Sequence, residues 1–133
     1  MEDQNNTFID LALNEVPELE PVPGNQEYRL KCTNAKVQTS KGDKTAGQNL
    51  ILFRFDIVGE DNAPSVTHPV MLPHETLDEK DNQNRKRDLK RILEAFEFPI
   101  DQGFNIEELV GEECYAVLDA EEDPKYGPQN NIK

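Results

Sequence analysis

EYRLKCTNAKVQTS, residues 27–40, alternates and then slips. Tyr28, Leu30 and Cys32 share one side of an extended chain, with Arg29, Lys31 and Thr33 on the other. After Asn34 the apolar phase moves by one residue, to Ala35 and Val37. A one-residue slip inside an alternating run marks a β-bulge, so the stretch reads as one long, bent first strand.

Outward from that strand, TSKGDKTAGQN (39–49) is a loop, and NLILFRFDIVG (49–59) is the strongest strand signal in the chain. Ile51, Phe53, Phe55 and Ile57 make its core side; Leu50, Leu52, Arg54 and Asp56 face the other way. EDNAP (60–64) is turn chemistry, and SVTHPVML (65–72) is a third strand. Pro69 cannot donate to a ladder, which puts that strand at a sheet edge. Between Asp81 and Phe98 the period changes: Leu89, Ile92, Leu93 and Phe96 form one helical stripe, closed by Pro99. NIEELVG (105–111) is a short helical turn ending at Gly111, and CYAVLDAE (114–121) a fourth strand. EDPKYGPQN (122–130) reads as a loop, with a fifth strand beginning at residue 130. Residues 1–26 form an acidic lead-in, in which Pro17, Pro21 and Pro23 cut short any turn made by FIDLALNEV (8–16). The folded domain is thus expected at 27–133. Its order, β-β-β-α-β-β, is mainly β and matches a five-stranded OB-fold-like barrel with one helix between strands 3 and 4.

The 133 residues suffice for one core. The formal net charge of −13 by itself speaks against a nucleic-acid partner, yet the charge is blocked. Residues 1–28 carry −7, 29–56 carry +4, 57–79 carry −5, 80–91 carry +4 and 92–133 carry −9. Twelve of the fourteen Lys and Arg therefore lie in two short segments, which permits a local positive surface.

Several stretches resemble a family of phage-encoded proteins proposed to bind single-stranded DNA. They are PVPG (21–24) with EYRLKCTNAKV, LILFRFDIVGEDNAP (50–64), LKRILEAFEFPID (89–101), IEELVG (106–111) and EEDPKYGPQNNIK (121–133). The resemblance implies an OB-fold and a non-enzymatic role in phage DNA replication or recombination, with weak sequence dependence. Two departures stand out: Asn25 and Gln26 separate the glycine from EYRL, and no acidic C-terminal tail follows the last strand. Recruitment of partners through such a tail is not expected.

On this reading the candidate DNA-binding residues are Arg29, Lys31, Lys36, Lys41, Lys44, Arg54, Lys125 and Tyr126. Lys41 and Lys44 would neutralise phosphates while Gly42 and Gly47 let the loop follow a strand. The same residues suit an ordinary solvated hairpin loop. Arg54, Arg29 and Lys31 form a basic stripe on the outer sheet face. Leu50 and Leu52 on that face either pack beneath the helix or offer bases an apolar floor. Tyr126, in PKYGP, either stacks on a base or covers a barrel end. Arg85, Lys86, Arg87, Lys90 and Arg91 make a solvated helix face, a second phosphate contact, or a dimer surface against the acidic lead-in.

No nucleophile elbow, phosphate loop or helical histidine pair is present, so no enzymatic activity and no cofactor are expected. Cys32, Cys114, His68 and His74 lack the CxxC-type spacing of a zinc site, and both cysteines read as small buried hydrophobes of a reducing compartment. MEDQNNTFID has no cationic start before an apolar run, and no run is long enough to span a membrane, so cytoplasmic residence is expected, in a host cell if the protein is phage-encoded. The partners expected are single-stranded DNA, replication or recombination proteins, and further copies of the chain. The competing reading is an acidic, DNA-mimicking module that engages a basic replication or recombination protein.

Overall fold

The computed structural model describes residues 7–125 and 127–133. Five antiparallel strands form one sheet: β1 (Gln26–Thr39), β2 (Asn49–Ile57), β3 (Val66–Met71), β4 (Glu113–Asp123) and β5 (Gly127–Ile132). Their order is β3-β2-β1-β4-β5. One helix, α1 (Glu79–Ala95), and a 3₁₀ turn at Ile106–Leu109 separate β3 from β4. No helix among the described residues is long and apolar enough to cross a membrane.

β1 belongs to two pairings at once, and the slip in its sequence makes this possible. Gln26–Lys31 pair with Leu118–Glu113 of β4, while Leu30–Thr39 pair with Ile57–Asn49 of β2. The register shifts between Cys32 and Asn34, leaving Thr33 as the extra residue of a bulge. Its hydroxyl donates to the Arg54 carbonyl at 3.2 Å. After the bulge the alternation resumes in phase, so Arg29, Lys31, Asn34 and Lys36 all point outward while Leu30, Cys32 and Ala35 are buried.

The inner face holds the core. Leu30, Cys32, Phe53, Phe55, Val66, Leu109 and Leu118 have essentially no exposed surface. Phe53 and Phe55 stack at 5.8 Å between ring centroids, and Phe55 stacks on Phe96 just beyond α1 at 6.0 Å. The apolar stripe of α1 closes over this face through Leu89, Ile92, Leu93 and Phe96. The fully buried side chains of this face contribute about 1.5–3 kcal/mol each by leaving water, and the half-buried Leu89 and Ile92 less.

The helix begins two residues earlier than the sequence suggests, with Asp78 capping it by accepting from the Asp81 N–H at 2.7 Å. It ends before Pro99 is reached. Glu97 takes a left-handed conformation (φ 57°), the Phe98 N–H donates to Leu93 O at 2.9 Å, and the Glu97 N–H donates to Glu94 O at 2.9 Å. These two bonds are a Schellman closure built without glycine.

Two expectations need correction. The fifth strand starts at Gly127, and β4 runs on to Asp123, so the two strands already pair within the stretch 122–130 that was expected to be a loop, and Pro124 and Lys125 lie in a turn. The sheet also does not close into a barrel. β3 and β5 approach one another but do not pair. Pro69 and Pro128 deprive each of these edge strands of a donor, and a cavity of about 550 Å³ opens between β3, α1 and the end of β5.

The last residues of the lead-in dock on the sheet. Val22 is buried, its N–H and C=O paired with the Asn130 side chain at 2.9 Å each. The Tyr28 hydroxyl donates to Pro23 O at 2.7 Å. Gly24 lies so close to β4 that a Cβ would stand 2.8 Å from the Ala120 nitrogen. Only glycine allows that approach.

Candidate nucleic-acid interface

Opposed residues of antiparallel strands share a face, so the register lays out the outer surface of β1, β2 and β3 in rows. Asn34, Arg54 and Thr67 form one row, Lys36, Leu52 and Pro69 the next, and Gln38, Leu50 and Met71 the last. The middle of this surface is apolar: Leu50, Leu52, Pro69 and Met71. Leu50 is only 9% exposed, yet neither it nor Leu52 belongs to the core that α1 covers. They do not pack beneath the helix. Leu50 instead lines a shallow pocket with Gln38, Thr39, Ser40 and Lys41, at the root of the loop.

The loop between β1 and β2 is a folded turn. Ser40 N–H donates to Gln48 O at 2.7 Å, and the Ser40 and Thr45 hydroxyls lie 2.5 Å apart. Gly42 N–H donates to Ser40 Oγ at 3.3 Å, and Gln48 N–H to Thr45 O at 3.0 Å. Gly47 supplies the left-handed residue (φ 84°) that brings the chain back into β2. Buried Gln48 accepts from Arg85 of α1 at 2.8 Å, and the same guanidinium nitrogen donates to Leu72 O at 2.9 Å. Arg85 is therefore a structural clamp and no part of a solvated helix face. Lys41 and Lys44 remain exposed on the outside of this braced turn.

The candidate cations fall into three groups. Lys36, Lys41 and Lys44 are exposed, and none makes an ion pair among the described residues. Arg29 pairs with Glu113 at 2.9 Å, and Lys31 sits between Asp56 and Glu113 in the register. Arg54 lines a groove whose other members include Asp56, Glu60 and Asp61. The outer stripe Arg29, Lys31, Arg54 thus exists in space, but acids interleave it. Lys125 lies in the β4–β5 turn, beyond the Gln26 end of β1, whereas the Lys41 and Lys44 loop leaves its Thr39 end. The structure does not bring these two loops together along β1. Tyr126 lies outside the described residues.

Tyr115 escaped the sequence reading. It is 61% exposed, outward on β4, and directly opposite Arg29. The signal was available: Cys114 is buried and the alternation of CYAVLDAE turns its neighbour outward.

The buried groups offer little chemistry. Burial pushes the Cys32 thiol up, and burial together with neighbouring Cys32 pushes Cys114 up to about 11, so both stay protonated at neutral pH. Burial holds His68 below its ordinary value, against the opposing pull of Asp88. No group of three or more His, Cys, Asp or Glu spaced to hold a metal ion occurs among the described residues. No protein-family model matches the chain, and no curated protein is significantly similar to it.

Proposed function

We propose that this chain is a single-stranded DNA-binding protein with an OB-fold-like domain, serving phage replication or recombination without enzymatic activity. The strand order, with the helix between β3 and β4 and the edge strands β3 and β5 near one another though unpaired, supports the OB-like reading. One observation carries the function: the accessible apolar floor of Leu52, Pro69 and Met71, rimmed by Lys36, Lys41 and Lys44, which make no ion pair among the described residues. Unstacked bases present apolar faces to such a floor while the lysines neutralise backbone phosphates. A duplex hides its bases, so the floor has nothing to meet there. Arg29 and Lys31, already balanced by Glu113 and Asp56, add less to phosphate binding.

Fluorescence anisotropy on a labelled oligothymidine tests the floor and the rim separately. Lys41→Glu/Lys44→Glu is expected to raise Kd by more than about tenfold. Leu52→Ser is expected to weaken binding by about 1 kcal/mol, from apolar area no longer buried against a base, with little change in salt dependence. Unchanged affinity in both variants would overturn the proposal.

A further inference from the structure

A second apolar surface lies on α1, away from the outer sheet face. Lys86, Leu89, Lys90 and Leu93 follow one another at helical spacing, and Ile100 and Phe104 close a groove of about 390 Å³ along them. Ile100 and Phe104 are 47% and 37% exposed. Phe104 is held edge-on against Phe98 at 6.1 Å, so that wall of the groove is fixed. The charged side chains that line it are Lys86 and Lys90, of which Lys90 also faces Glu94 at 3.9 Å and Lys86 makes no ion pair among the described residues.

The complementary surface is carried by the same chain. Phe8, Ile9, Leu11, Leu13, Val16 and Leu19 are each between 61% and 77% exposed. Between them stand Asp10, Glu15 and Glu18, and residues 7–20 contain no Lys or Arg. The root of the segment is fixed, since the Glu20 N–H donates to Asn62 O at 2.9 Å. Beyond that anchor Ile9, Leu11, Leu13 and Val16 are exposed to solvent, as is the Ile100 and Phe104 side of the groove. So many large apolar residues in one short exposed stretch mark an interaction element.

We propose that residues 9–19 of one copy dock in the α1 groove of a second copy. Leu11 and Leu13 pack on Leu89, Ile100 and Phe104, and Asp10 and Glu15 meet Lys86 and Lys90. Two such contacts related by a twofold axis close a dimer, because each chain supplies one segment and one groove. The pairing matches an acidic apolar strap to a basic apolar slot, and no third component is required.

Light scattering on the purified full-length chain across a dilution series tests this. The wild type is expected to be a dimer that weakens as salt rises. Leu11→Asn/Leu13→Asn and Lys86→Glu/Lys90→Glu are each expected to raise the dimer dissociation constant at least about tenfold. Both pairs are surface changes, and unaltered thermal unfolding at low protein concentration verifies that the fold survives. Mixing the two variants leaves one intact strap facing one intact groove, so a heterodimer is expected in the mixture at concentrations where each variant alone is a monomer. A monomeric wild type, a dimer indifferent to both variants, or a mixture that stays monomeric would each overturn the proposal.

Discussion

Arg85 and Gln48 are 2.8 Å apart, and through that contact α1 braces the loop that carries Lys41 and Lys44. Gln48 is buried, so the bond shields its amide oxygen from being left without a partner. Arg85→Met is expected to destabilise the domain by about 2 kcal/mol, in the range for a lost bond to a charged donor. Arg85→Lys should recover part of that. Urea unfolding reads both, as a lower midpoint at unchanged slope.

Asn130 holds the lead-in to the sheet through Val22, and a third bond, to Asp119 O at 3.1 Å, fixes its amide. Asn130→Ala strands both backbone groups of Val22 away from water. The expected cost is about 3 kcal/mol. Hydrogen exchange at the Val22 amide should accelerate with it, and unchanged exchange would show that residues 20–25 do not depend on this anchor.

These two residues also show where the sequence was legible. Alternation placed Phe53 and Phe55 in the core and a bulge after Asn34, next to the Cys32–Asn34 shift that the register shows, because burial on a pleated sheet imposes a period of two. Periodicity also found the stripe of α1. It could not find Arg85 or Asn130, whose burial depends on partners 37 and 108 residues away. The start of β5 was hidden for another reason: Gly127 and Pro128 read as loop, and an edge strand tolerates a proline that an inner strand would not. On the candidate site, the sequence located the cations but not the acids that face them. Glu113 reaches Arg29 through a pairing that no local pattern announces.

Glu97 closes α1 in a left-handed conformation, and it places a carboxylate at the negative end of the helix dipole. Glu97→Gly removes both penalties and is expected to stabilise the domain by about 0.5–1 kcal/mol. Thermal unfolding should shift upward by about 2–3 °C. Glu97→Val, β-branched in the same conformation, should shift it downward.

Cys114 gives the domain an alkaline limit. Its pKa is raised on folding to about 11, so the folded state holds the thiol proton more tightly than the unfolded chain. The resulting stability is fully present below the ordinary thiol value of about 8.5 and is lost as pH rises toward 11. Cys114→Ala should lose stability less steeply over that window, although it starts lower at neutral pH because a packed side chain is trimmed. Equal slopes for the two proteins would show that the thiol does not govern the alkaline limb.

The most direct measurement is a titration of the wild-type protein with a labelled single strand of about 30 nucleotides and with the matching duplex, at several salt concentrations. Three unpaired lysines predict a plot of log affinity against log salt with a slope of about −2 for the single strand, and much weaker duplex binding. Absence of a single-strand shift at low salt, or equal affinity for the duplex, would contradict the account.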